Sequence, residues 1–387
     1  MKTRLVLLDF DDIKNPLISG GQALATYEVF RRLTEKYSIT VISSKYPGYQ
    51  DRTQDGIMYK HIGLGSSSIR LNNLVYDLLM PFVVPTIKTD LIIEYFIPPY
   101  STLFSPLFTH IPIVAIPTFF DAQRLSEKYH LPFFLIERFG SRFYKYFLPS
   151  AKYLDEKMKR YNPNIISDVV PQGVSDEYFK IIQKNPSYIL FLGRYDINQK
   201  GIDLLLHSYA KIADKITYPL VLAGRGPDER KIIQIINKLG LDRKVRLIGP
   251  AYGKKKMDLL SKALFVTIPS RNEGFCIFAL EALAAGLPLV CFDIPGLNWI
   301  TPKVSLKAKS FNVDHYARLL LDMSQKTMRS KMTPETKKIA LKFTWNKVAE
   351  KYDKFFRFVL HSQTKPIYSG KINILSHKEK NHAYTSS

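Results

Sequence analysis

The chain is 387 residues long, 46% hydrophobic, and carries 56 Lys and Arg against 34 Asp and Glu, a net charge of +22. That apolar content excludes a disordered chain, and at roughly 100–200 residues per domain the length fits two domains. The two cysteines, Cys276 and Cys291, exclude a disulfide framework and a four-cysteine zinc site and fit a reducing, cytoplasmic setting.

In chain order, short apolar runs predict strands over 4–10, 39–43, 90–96, 113–116 and 165–170, with a helix over 22–36. The first apolar run ends at Asp9, so no export signal is expected. The nearly uncharged stretch 103–120 is interrupted by Pro106, Pro112 and Pro117, which argues against a membrane-spanning helix. Residues 131–148 predict one amphipathic helix, with Arg138, Arg142 and Lys145 on one face and Phe133, Ile136, Phe139, Phe143 and Phe147 on the other. Either the aromatic face packs on the first sheet, or the helix lies shallowly in an anionic membrane surface. Seven Lys or Arg against two acids over 138–160 favour the membrane, and with it a peripheral enzyme on the inner membrane face.

Beyond a join at 171–173, strands are expected over 188–192, 220–223, 245–248, 264–268 and 287–292, separated by helices. Alternating strands and helices mark parallel sheets covered on both faces. The expected class is α/β, with doubly wound Rossmann-like units over 1–173 and 174–343 facing a cleft. Apolar residues at spacings of three and four from Trp345 to Val359 predict a helix over 344–362 that returns to the first unit, and the polar 363–387 reads as a loosely held tail. The first unit has a net charge of +4 and the remainder +18. The basic part of the chain is therefore the second half.

Two loops there carry chemistry. After the strand 188–192 comes Gly193-Arg194, then Lys200-Gly201, placing two cations on one strand-to-helix loop suited to a diphosphate. After the strand 264–268 come Glu273, Gly274 and Phe275, then a helix bearing Glu281. With a loop between them, the two carboxylates would meet opposite ends of one elongated ligand. Carboxylates accept hydrogen bonds from vicinal hydroxyls, and free amides at a helix start suit phosphates.

These motifs resemble the GT-B glycosyltransferases of the retaining family 4 type, over residues 170–288. Val170-Pro171-Gln172-Gly173-Val174 is similar to the family's interdomain "PNGV" element, Gly193-Arg194 with Lys200-Gly201 to its donor-phosphate motif, Gly224-Arg225-Gly226-Pro227 to "GxGP", and Glu273 through Glu281 to its E-x7-E element. The resemblance implies transfer of a monosaccharide from a nucleoside-diphosphate sugar to an acceptor hydroxyl, lipid-linked or on a glycan, with retention and without a metal or other cofactor. It implies that Arg194 and Lys200 hold the diphosphate, Glu281 the ribose and Glu273 the sugar, with Gly20, Gly21, Gly193, Gly224, Gly274 and Phe275 at the donor. Gly20-Gly21 is similar to the family's glycine loop, and Phe120-Asp121 stands where it has a histidine and an aspartate, giving Asp121 an acceptor-side role. A catalytically weakened partner subunit is the alternative, motivated by Phe120 and by Cys276 in place of a glycine. Asp9-Phe10-Asp11-Asp12 also resembles the start of a haloacid-dehalogenase-type phosphatase. No paired-aspartate magnesium loop follows, which leaves an acidic strand end in the cleft. No basic reader helix supports nucleic-acid binding.

Overall fold

The computed structural model describes residues 2–18, 20–98, 104–118 and 122–364. Two sheets organise the chain. The first contains β1 (Thr3–Leu8), β2 (Tyr37–Ser44), β3 (Arg52–Gln54), β4 (Ile57–Ile62), β5 (Leu91–Tyr95), β6 (Ile113–Ile116), β7 (Tyr146–Phe147) and β8 (Ile166–Ser167), in the order β3-β4-β2-β1-β5-β6-β7-β8. It is parallel except where β3 turns back antiparallel on β4. The second contains β9 (Tyr188–Leu192), β10 (Leu220–Ala223), β11 (Val245–Leu247), β12 (Ala263–Ile268), β13 (Leu289–Phe292) and β14 (Ser305–Ala308), all parallel, in the order β11-β10-β9-β12-β13-β14. Central strands such as β5 and β12 are buried along their whole length, as expected where helices cover both faces.

The helices are α1 (Gly21–Phe30), α2 (Ile69–Val83), α3 (Ala122–Tyr129), α4 (Phe133–Gly140), α5 (Lys152–Tyr161), α6 (Ile197–Lys200), α7 (Ile202–Ala210), α8 (Glu229–Lys238), α9 (Gly253–Lys262), α10 (Ile277–Ala284), α11 (Val313–Ser324), α12 (Lys326–Ala340) and α13 (Trp345–Thr364). α13 joins the core of the first sheet through Trp345, Val348, Tyr352, Phe356 and Val359, with Phe356 stacked on Phe30 of α1 at 6.1 Å. The chain passes between the sheets at 173–174 and again at 343–344. The two passages are tied together by the Val174 amide donating to the Phe343 carbonyl at 2.9 Å. Of the expected tail over 363–387, residues 363–364 belong instead to α13, and residues 365–387 lie outside the described residues.

The expected helix over 131–148 is corrected. α4 stops at Gly140, a 3-10 turn covers Ser141–Phe143, and Tyr146–Phe147 enters the sheet as β7 beside β6. A Cβ at Gly140 would lie 3.0 Å from the Phe104 ring, so the last turn of α4 packs tightly against that ring. Arg138 is on the helix, Arg142 on the turn and Lys145 at the strand. The first helix is shorter than expected too: α1 ends at Phe30, and turns lead through residue 36 into β2. Among the described residues no helix is long and apolar enough to cross a membrane.

Alternation along β5 sets the two faces of the first sheet. Tyr95 points to α1, its hydroxyl 2.9 Å from Thr26. Its neighbour Glu94 points the other way and accepts from the Tyr144 hydroxyl, just beyond the α4 turn; it also adds to the burial that raises Asp77 of α2. α1 and α13 therefore cover one face, and α2 and α4 the other.

Candidate active site

In the second sheet, chain order runs one way from β9 to β11 and the other way from β12 to β14, so direction reverses between the neighbours β9 and β12. Loops leaving the carboxyl ends of such a pair open a crevice, where doubly wound sheets bind ligands. The loop after β9 brings Gly193, Arg194 and Lys200 there, and the loop after β12 brings Glu273, Gly274 and Phe275. At Gly201 the backbone is left-handed, and a Cβ would lie 2.0 Å from the Pro269 carbonyl oxygen, so only glycine allows the loops to meet. Arg271 fixes the joint. Its guanidinium donates to both Asp203 carboxylate oxygens and to the Ile197 carbonyl, each at 2.7 Å, and its amide donates to the Gln199 carbonyl at 2.9 Å. A two-pronged charged contact of this kind holds orientation as well as distance.

The result is an ion pair where the two loops meet: Lys200 Nζ lies 2.7 Å from Glu273 Oε1, which also accepts from Ser270 Oγ at 2.6 Å. Burial works against the charge on Lys200, but the Glu273 carboxylate outweighs it and the ammonium pKa is raised. Across the cleft, the Tyr153 hydroxyl donates to the Glu273 carbonyl at 2.9 Å. Glu281, buried on α10, is matched in the same way by Lys256 of α9 at 2.6 Å. The Lys256 ammonium stands 5.4 Å over the ring of Tyr178, whose phenol is pushed up by burial and by Glu281. Glu281 lines a cavity of about 120 Å³ with Leu24 and Glu28 of α1, so it faces the first unit. Each glutamate thus holds a lysine that an incoming anion can compete for, leaving the carboxylate to accept from hydroxyl groups.

The other expected residues divide. Gly193 and Gly224 back onto each other, a Cβ on Gly224 falling 1.9 Å from the Gly193 carbonyl oxygen. With Arg225 and Tyr252 they line a cavity of about 290 Å³ at the ends of β9 and β10. Arg194 lines it as well, but its exposed guanidinium lies along its own loop, donating to Gln199 at 2.5 Å and Asp196 at 3.2 Å rather than meeting Lys200. Gly274 and Gly21 sit where the units touch: a Cβ would lie 2.5 Å from the Thr118 carbonyl oxygen at the first and 3.0 Å from Ile277 at the second. The Gly20 amide donates to Asp11 at 3.0 Å. The Phe275 ring stacks on Trp299 at 4.6 Å, which leaves only its backbone toward the crevice. Cys276 begins α10 with φ +66°, a left-handed backbone, and burial pushes its thiol up. Ser19, Phe120 and Asp121 lie outside the described residues.

The acidic strand end is not an open cleft feature. Asp9 is buried under α1, accepting from Thr26 and Gln22, and burial followed by Asp11 pushes it up to about 7. Asp12 is gripped by Arg52 at 2.6 and 2.7 Å and by His61 at 2.8 Å; burial would raise it, yet these partners hold it lowered. Sequence reasoning missed Arg271, Asp203, Lys256 and Tyr153. Arg271 lies inside the recognised loop, but its partner is 68 residues away, and neither Lys256 nor Tyr153 carries a readable spacing.

Residues 175–338 match the family model "Glycosyl transferases group 1". An uncharacterized glycosyltransferase of Methanocaldococcus jannaschii is 32% identical over 180 residues, 44% of each chain. The GDP-mannose:cellobiosyl-diphosphopolyprenol alpha-mannosyltransferase of Xanthomonas oryzae is 34% identical over 109 residues, 28% of this chain and 29% of the relative. The matches span less than half the length of these curated relatives. In structure, the sucrose-phosphate synthase of Thermosynechococcus elongatus superposes over 93% of this chain and 100% of its own with a TM-score of 0.77 at 15% identity, and the fold is GT-B.

Proposed function

We propose that this chain, whose residues 175–338 form a glycosyl transferases group 1 domain within a GT-B fold, transfers a monosaccharide from a nucleoside-diphosphate sugar to an acceptor hydroxyl. The observation that carries the reading is the Lys200–Glu273 pair at the β9/β12 reversal; Glu281, on the helix that follows Glu273, lines a small cavity together with α1 of the first unit. In this reading Lys200 swings from Glu273 to the donor diphosphate, and with the amides at the start of α10 it meets the charge that develops as the sugar–phosphate bond breaks. Glu273, released, accepts from sugar hydroxyls, and Glu281 from the ribose. Arg194 reaches the phosphates by leaving Gln199. Tyr252, exposed at the rim of the 290 Å³ cavity, offers a ring to the base.

The acceptor oxygen then bonds to the anomeric carbon on the face the diphosphate leaves, its proton passing to the departing phosphate oxygen, which retains configuration. We take the reaction to need no cofactor beyond the donor. The name of the Xanthomonas relative couples a GDP-sugar to a diphosphopolyprenol, which supports a lipid-linked acceptor and a peripheral place on a membrane, with Arg138, Arg142 and Lys145 as surface contacts. A thermal-shift panel of UDP-, GDP- and ADP-linked sugars on wild type and Glu281→Ala tests the donor half. One nucleotide class should raise the wild-type Tm and fail to raise that of the variant; no shift in wild type, or an equal shift in both, overturns the reading.

A further inference from the structure

α2 is apolar on both of its faces. Tyr76 and Met80, with Asn72, are buried against the sheet, yet Leu71, Leu74, Leu78 and Phe82 are 42, 56, 62 and 75% exposed. At spacings of three, four and four these side chains form one stripe about 16 Å long on the side away from the sheet. A stripe of this kind on a solvated helix normally carries charge, and an apolar one calls for a cover. Further exposed apolar residues lie on α4, on the same face of the sheet, at Phe134, Leu135 and Phe139, in the turn after it at Phe143, and at Leu64 in the loop leading into α2.

Among the described residues, the exposed charges on α2, on α4 and on the turn after it are of one sign, although Glu127 of the neighbouring α3 is also exposed. Arg70 and Lys88 flank the stripe on α2, and Arg138, Arg142 and Lys145 border α4, all of them exposed. The one acid of each helix turns inward. Asp77 is raised by burial and by Glu94, and Glu137 is buried against Lys157 at 3.0 Å and the Ala122 amide at 2.6 Å. A two-fold contact with a second copy would set these cations against each other with no exposed acid of either helix between them, whereas an anionic headgroup layer complements both the apolar stripe and its basic border.

We propose that the α2–α4 face is the surface by which the protein docks on an anionic bilayer, with the α2 stripe entering the headgroup boundary. This deepens the peripheral-membrane reading above and rests on it. The insertion element is α2, and the basic residues around α4 serve as electrostatic contacts beside it.

The full chain is co-sedimented with vesicles of phosphatidylcholine alone or mixed with phosphatidylglycerol, and Leu78→Trp reports insertion through quenching by brominated lipid. Partition onto the anionic vesicles should fall more than about 10-fold in Leu74→Ser/Leu78→Ser/Phe82→Ser and about 100-fold in Arg138→Glu/Arg142→Glu/Lys145→Glu. The fluorescence that Leu78→Trp adds to that of wild type should shift to the blue and be quenched. Equal partition of wild type on both vesicle types, an introduced indole that brominated lipid leaves unquenched, or a dimer in sedimentation velocity that the serine variant abolishes would overturn the proposal. The nucleotide-sugar thermal shift, read on the same preparations, separates the two ideas: if the shift is retained while docking fails, only the docking proposal is lost.

Discussion

The two halves of the molecule differ in their buried carboxylates: the two at the candidate site in the second half are paired with lysines, whereas three in the first half meet no cation among the described residues. In the second, Glu273 and Glu281 each meet a lysine at 2.7 and 2.6 Å. In the first, Asp9, Asp77 and Glu94 pair with no cation among the described residues, and burial pushes them up to about 7, 8 and 7. Other buried carboxylates there do meet a cation: Asp12 meets Arg52, Glu28 Arg32, Glu137 Lys157 and Asp155 Lys159. The difference separates carboxylates paired with a lysine that a ligand can replace from carboxyls that meet no cation and are raised by burial.

The sharpest way to break this comparison is to remove one member of a pair. Lys200→Ala leaves Glu273 buried with only Ser270, so it should cost about 3 kcal/mol of stability in urea unfolding, and adding Glu273→Ala should recover most of that loss. A loss under about 1 kcal/mol, or no recovery, would mean that the pair is solvated and carries no special weight. The first half should respond in the reverse sense. Because the folded-state pKa of Glu94 lies above its unfolded value, the folded protein keeps a proton that the unfolded chain has released between about pH 4.5 and 7, so this group's contribution to stability falls as pH rises through that window. Glu94→Gln should therefore raise stability at pH 8 by on the order of 1 kcal/mol, with the gain shrinking to nothing near pH 4. A variant destabilised equally at both pH values would contradict the protonated reading. The smallest effect is expected at Cys276, whose left-handed backbone suits glycine. Cys276→Gly should stay within about 1 kcal/mol of wild type, while Cys276→Val, β-branched at positive φ, should lose more than about 1 kcal/mol; the opposite order would remove backbone conformation as the reason.

What the sequence made legible follows the same division. In the second half the candidate site residues sit in two contiguous segments, each a loop after a buried strand together with the helix that follows, so Lys200, Glu273 and Glu281 could be read from spacing. Their partners could not. Lys256 and Glu281 are 25 residues apart and Lys200 and Glu273 are 73 apart, and only the reversal of strand order brings such positions together. In the first half, β4 alternates buried Ile57 and Tyr59 with exposed Met58 and Lys60, a half-buried edge pattern weaker than the uniformly apolar central strands. The aromatic run 131–148 fits a helical period throughout, and it is the long-range pairing of Tyr146 opposite Val114 that draws its end into the sheet and divides it into helix, turn and strand. The exposed stripe on α2 was equally hidden, because an apolar residue's spacing does not say which side of a helix the sheet will take.

The account depends most on Lys200 being the cation that exchanges Glu273 for a donor diphosphate. Calorimetric titration of wild type and Lys200→Ala with the preferred nucleoside diphosphate and with the same nucleoside lacking phosphate tests this directly. The account predicts a loss of at least about 10-fold for the diphosphate, equivalent to about 1.4 kcal/mol, with nucleoside affinity unchanged. Equal losses for both ligands, or diphosphate affinity unaltered by the substitution, would contradict it.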